Sequence, residues 1–137
     1  VGLIHLDAGV VIGFLDANDA HHAASRAVLA EAISEGHVLA MAMSAYAECL
    51  VGPARRGDAA VRLVRDLVER LPISLAPLDE DTALHAASLR AAHRSLRLPD
   101  ALVVAAAERA GADVLVTTDR GWPTAKALRT QVEIRRL

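Results

Sequence analysis

"LRLPDALVVAAAERAGADVLVTTDRGW", residues 96–122, carries the pattern that decides the fold. From Pro99 the segment is almost all Ala, Val and Leu until Gly111, which reads as a helix stopped by a glycine. Residues 113–117, "DVLVT", then read as a short strand, apolar without the period-2 alternation of a half-exposed one. Two aspartates bracket this unit. Asp100 opens the helix, where negative charge meets the positive end of the helix dipole. Asp119 lies just past the strand, where an aspartate readily begins a turn. Each has that local explanation alone; the pair raises the question of whether both face one place.

The rest of the chain repeats the same grammar. Residues 3–7, "LIHLD", read as a buried strand ending in Asp7, and "AGVVIGFLDA" as an apolar helix. A helix is expected over 20–35, stopped at Gly36, and a second strand over 37–42. Ser44 is placed to cap a helix that carries Glu48 and ends near Gly52 and Pro53. From 59 to 71, Val61, Val64, Leu67, Val68 and Leu71 form one stripe, with charged residues opposite. A third strand, 73–78, precedes a helix over 79–96 with acids at its start and Arg near its end, as the dipole prefers. A short helix around 123–129 and a last strand, "VEIRR", follow. No repeat, linker or low-complexity run interrupts the alternation, so residues 1–137 read as a single α/β domain. About five short, mostly parallel strands should carry helices on both faces, a three-layer arrangement.

Composition bounds the chemistry. At 137 residues, with 53% hydrophobic and 23% charged, the chain can bury a real core. Phe14, Tyr46 and Trp122 are its only aromatic residues, so that core must be built from Ala, Val, Leu and Ile. No apolar run reaches the ~18 residues of a membrane span. The first residues lack a basic segment ahead of a small-residue cleavage site, and Cys49 is the only cysteine; both predict a cytoplasmic protein. A net charge of −2 excludes nucleic-acid binding by bulk attraction. Yet fourteen of the fifteen basic residues are Arg, several of them clustered, and Arg suits bidentate phosphate contacts.

In a parallel sheet the ligand site lies beyond the carboxyl ends of the strands. That rule gathers four acids: Asp7 ends the first strand, Glu48 sits about a turn into the helix after the second, and Asp119 follows the fourth. Asp100 joins them because right-handed crossovers bring the start of its helix to the same edge. Carboxylates so close repel one another unless cations lie between them, and all-oxygen ligands match Mg²⁺ or Mn²⁺. Such ions serve phosphodiester hydrolysis.

The chain resembles the PIN-domain nucleases, in particular the VapC toxins of bacterial toxin–antitoxin pairs. The resemblance rests on "LDAGVVI" at Asp7, "SAYAE" at Glu48, "LPDALVVAAAERAGADVLVTTD" from Asp100 to Asp119, and the trailing "RGW", and it covers essentially the whole length. It implies a PIN-like fold with Asp7, Glu48, Asp100 and Asp119 as the acidic quartet, and Thr117 as a supporting hydroxyl. It further implies an endoribonuclease using Mg²⁺ or Mn²⁺, a homodimer, and inhibition by a cognate antitoxin protein. One departure stands out: two residues after the first Asp the family usually carries Ser, Asn or Thr, and here it is Gly9.

Other residues have plainer readings. Asp16, Asp19 and the run Asp79, Glu80, Asp81 fit turns and helix starts. His21 and His22 are adjacent and point apart. Cys49 fits a buried apolar position, and Trp122 an anchor for the final loop. Arg90, Arg94 and Arg97 are spaced by four and three; if the helix persists to Arg97 they form one face leading to Asp100 and, with Arg120, the candidate RNA contacts. A dehalogenase-like phosphatase would need an Asp at position 9, and a receiver domain a Lys elsewhere than Lys126. No GxGxxG or GxxxxGK[ST] is present. The alternative from another class is a non-catalytic PIN module that binds RNA or a protein partner.

Overall fold

The computed structural model describes residues 2–137. Five strands and seven helices alternate: β1 Leu3–Leu6, α1 Ala8–Leu15, α2 His22–Ser34, β2 Val38–Ala42, α3 Met43–Arg56, α4 Asp58–Arg70, β3 Ile73–Ala76, α5 Glu80–Ala92, α6 Leu98–Arg109, β4 Val114–Thr117, α7 Ala125–Leu128 and β5 Glu133–Arg136. The strands form one sheet in the order β3-β2-β1-β4-β5, every neighbouring pair parallel. This is the expected α/β architecture.

The order of strands matters more than their number. From β1 the chain steps outward to β2 and β3, then returns past β1 to lay down β4 and β5. Right-handed crossovers carry the helices of the first two steps to one face of the sheet and those of the last two to the other. The direction of winding therefore reverses between β1 and β4, which opens a crevice at their carboxyl ends. Both strands are buried there: Ile4, His5 and Leu6 in β1, and Leu115, Val116 and Thr117 in β4. The edge strands are less covered, as Ser74 and Glu133 are exposed.

Helix α6 is the most enclosed helix. Ala101, Val103, Val104, Ala105, Ala106 and Ala107 are all buried, along with Asp100. Small side chains let it approach both α5 and β2 closely. Two helix boundaries differ from the sequence expectation. Helix α3 runs through Pro53 to Arg56 and starts after Ala42, with no side-chain cap from Ser44. Proline there removes only the bond its N–H would have made to the Cys49 carbonyl, and the helix stops at Gly57, whose φ of 122° favours glycine. Helix α5 stops at Ala92 rather than at 96. Leu96, fully buried, pulls the chain into the core, and Arg97 is extended as the N-cap of α6. Arg90, Arg94 and Arg97 therefore do not share a helical face: Arg90 ends α5, Arg94 lies in the turn, and Arg97 precedes α6.

Candidate active site

Asp7 sits where β1 ends and α1 begins, at the crevice. It caps α1, its Oδ1 accepting from the Ala8 N–H at 2.8 Å. Its other oxygen, Oδ2, accepts from the Thr117 hydroxyl at 2.8 Å. That hydroxyl in turn accepts from the Asp119 N–H at 3.0 Å. Thr117, fully buried at the end of β4, thus ties the side chain of one acid to the backbone of another. Register explains the meeting: Leu6 pairs with Val116, so Asp7 and Thr117 leave adjacent strands side by side.

Asp100 reaches the same edge from the first turn of α6, where it is buried. Arg97, the residue just before that helix, donates from Nε to Asp100 Oδ2 at 3.3 Å. The buried indole N–H of Trp122 acts weakly on Asp100, lowering its carboxyl, but closes no full hydrogen bond. Asp119 is half-buried, and its Oδ1 accepts from the Gly121 N–H at 2.8 Å, an Asx turn that shapes the loop. Glu48 is the exposed member, projecting from α3.

Electrostatics show that these acids sense one another. Burial, then the charges of Asp100 and Glu48, push the Asp7 carboxyl up to about 6, against the pull of its two hydrogen bonds. Burial also raises Asp100, opposed by Arg97 and reinforced by Asp119. Glu48 is raised by burial and by the charge of Asp100, and lowered by Arg97. One guanidinium therefore serves as counter-charge to two carboxylates. Among the described residues, no three His, Cys, Asp or Glu side chains stand close enough to hold one ion between them directly. This is still a fit for Mg²⁺, which usually takes one or two carboxylates and keeps several waters. Asp7 and Asp100 could supply those carboxylates, with Glu48 and Asp119 reaching through water.

The remaining sequence candidates fall outside this cluster. Arg90 and Arg94 are exposed, and Arg120 donates to the Leu137 carbonyl at 3.4 Å. Asp16 and Asp19 accept from the N–H groups of Asn18 and His21, and Asp79 caps α5 through Thr82, as turn and cap residues should. Cys49 is buried beside the Ala8 carbonyl, and burial pushes its thiol up to about 12, which leaves it inert. Trp122 is an anchor: it is buried, and Arg136 holds its backbone carbonyl at 3.0 Å.

Sequence reasoning missed one neighbour of the site. A cavity of about 370 Å³ runs from Glu48 between α1 and α3, walled by Ile12, Leu15 and Pro53 and ending at Asp16 and Arg56. Arg56 folds back beside Gly52, its Nη1 3.6 Å from where a Cβ there would stand. The signal was available, since Glu48, Gly52 and Arg56 follow one another at intervals of four on one helical stripe.

A family model described as "PIN domain" matches residues 4–128. No curated protein sequence matches the chain. Among solved structures, the chain is similar to the VapC20 toxin of Mycobacterium tuberculosis, described as cleaving the sarcin–ricin loop, with a TM-score of 0.69 and 18% identity over 82% of this chain and 86% of that one. It is similar to VapBC-1 of nontypeable Haemophilus influenzae, with a TM-score of 0.70 and 19% identity over 98% and 97%. It is also similar to VapBC-5 of Mycobacterium tuberculosis, from the VapBC family of toxin–antitoxin systems, at 0.62 and 23% over the whole of both chains. Since the family match over residues 4–128 takes in all four acids and the central part of the sheet that assembles them, the chain belongs to the PIN domain family.

Proposed function

We propose that this protein is a metal-dependent endoribonuclease, the toxin of a toxin–antitoxin pair. The observation that carries this reading is the acidic cluster at the crevice between β1 and β4, with Asp7 held on both oxygens by Thr117 and Ala8. The likeness in fold to VapC20 and to the VapBC proteins supports the choice of RNA as substrate and of an antitoxin as partner. A divalent cation bound there, Mg²⁺ or Mn²⁺, supplies a polarised water and neutralises charge on the scissile phosphate.

The chain's own residues prepare that chemistry. Thr117 and the Ala8 N–H fix the Asp7 carboxylate in one orientation, so a ligand meets it without reorganisation. Asp100 is fixed by the first turn of α6, whose dipole favours its negative charge. Arg97 balances the cluster and lies close enough to turn to an RNA phosphate when a cation takes over that balance. Arg90, Arg94 and Arg120 lie exposed and are the further phosphate contacts of this reading. Large apolar side chains such as Leu63, Leu84 and Val51 are half or more exposed, surface that a twin or an antitoxin would cover. No helix among the described residues is long and apolar enough to cross a membrane, and a cytoplasmic toxin is the reading adopted.

The test is cleavage of a panel of structured RNAs by the purified chain with Mg²⁺, with Mn²⁺ and with a chelator. Cleavage that needs the metal and disappears in Asp100→Asn, with folding retained, is expected. Equal cleavage by well-folded Asp100→Asn would overturn the assignment. Metal-independent RNA binding without cleavage would leave a non-catalytic PIN module in its place.

A further inference from the structure

Gly9 lies in the first turn of α1, two residues from Asp7, and its backbone is not in the left-handed region that demands glycine. The reason for glycine is steric. A Cβ at position 9 would overlap the hydroxyl oxygen of Thr118 and stand 3.4 Å from Thr118 Cβ and 3.5 Å from Cγ2. The Thr118 hydroxyl therefore occupies the place that a side chain at position 9 would take. It does so from β4's end of the crevice, between Thr117, which holds Asp7, and Asp119.

The two neighbouring threonines differ in what is left for a ligand. Thr117 is fully buried and uses its hydroxyl twice inside the protein. Thr118 is only half-buried, and its hydroxyl rests against the Cα of Gly9 rather than on a protein donor or acceptor among the described residues. A hydroxyl so placed, beside acids that can only accept when ionised, can both donate to and accept from a water.

We propose that Thr118 is a positioning residue of the acidic cluster: its hydroxyl, admitted by Gly9, orients a water beside the divalent cation. This rests on the reading of the cluster as a cation site. Outer partners of a metal site typically contribute ~10–100-fold to affinity or activity, and a single neutral hydroxyl belongs at the lower end.

The experiment titrates Mn²⁺ into the chelator-stripped protein and follows the fluorescence of Trp122, the only tryptophan, which is buried three residues after Asp119. Calorimetry provides the second readout. Thr118→Val keeps the shape and removes the hydroxyl; Gly9→Ala keeps Thr118 and forces its hydroxyl aside; Thr118→Ser keeps the hydroxyl and removes the methyl. We expect Thr118→Val and Gly9→Ala each to bind Mn²⁺ about tenfold more weakly, Thr118→Ser to bind as the wild type does, and Thr118→Val and Thr118→Ser to melt where the wild type melts. Wild-type affinity in Thr118→Val would overturn the proposal, as would equal losses in Thr118→Ser and Thr118→Val. A wild-type protein that binds no Mn²⁺ by either readout would overturn the cation site as well, and with it the role given to Thr118.

Discussion

Asp7 and Glu48 belong to one cluster and sit at its opposite extremes. Asp7 is buried, grows from the central strand and has both oxygens held. Glu48 is exposed on α3 and has no such tether. The sheet builds one half of the site as a fixed surface, while the helix offers the other on a side chain free to adjust. Rigid ligands cost little reorganisation when charge develops, so the fixed half should carry the chemistry and the free half should tune it.

The largest expected effect lies on the fixed half. Asp7→Asn and Asp100→Asn should each lower metal-dependent RNA cleavage by roughly a thousandfold, the scale of losing a preorganised charge-stabilising group. Single-turnover assays on folded protein check this. Glu48→Gln should cost less, on the order of tenfold to a hundredfold. Equal losses in Glu48→Gln and Asp7→Asn would erase the distinction.

Next comes the tether itself. Thr117→Val removes the donor to Asp7 and the acceptor of the Asp119 N–H together. Leaving buried groups unpaired should destabilise the fold by about 1–3 kcal/mol, measured by urea unfolding. Its Mn²⁺ affinity should fall as well, which a purely structural threonine would not cause.

Stability without metal offers a pH test whose sign follows from two neighbours on β1. The Asp7 carboxyl is raised from 3.8 to about 6 by burial, so its contribution is present below pH 3.8 and lost as pH rises through about 6. His5, buried with neither ring nitrogen bonded, is lowered by burial to about 4. Its contribution is full above pH 6.5 and is lost as pH falls through about 4. Between pH 4 and 6 the two slopes oppose each other, and the wild-type profile from these groups should be nearly flat. In Asp7→Asn that opposing slope is removed and only the raised Asp100 and Glu48 still act against His5, so stability between pH 4 and 6 should tilt upward relative to the wild type. The same tilt in the wild type would mean that Asp7 is not held as the structure describes.

The smallest effect is expected at single arginines around the cluster. With a non-cleaved RNA bound to Asp100→Asn protein, removing one phosphate contact should shallow the slope of log K against log salt by ~0.7. Arg94→Ala and Arg97→Ala should each show that change. An unaltered slope for Arg94→Ala would confine the RNA contact to Arg97 beside Asp100.

Much of this was legible before any coordinates. Strand and helix order followed from apolar runs and glycine stops, and the parallel sheet followed from the lack of alternation. The acids Asp7, Asp100 and Asp119 lay at the edge named by the strand-end rule because that rule depends only on topology. Helix ends were less readable. Pro53 sits in a last turn, where its missing N–H costs one bond, and the burial of Leu96 ended α5 early against good local helix propensity. The pairing of Gly9 with Thr118 was hidden for a different reason: it joins residues 109 apart in sequence through a steric fit that neither local motif reveals.

The hydrogen bond between Thr117 and Asp7 closes a loop of 110 residues. At ~5–20 residues per second of synthesis, the two ends emerge from the ribosome some 5–20 s apart. A nascent chain thus displays Asp7, and then Glu48, long before anything can hold them in working order. Competence arrives only with the fourth strand, 110 residues after Asp7. For an enzyme whose proposed substrate is RNA, this fold delays the appearance of activity until β4 has joined the sheet beside β1.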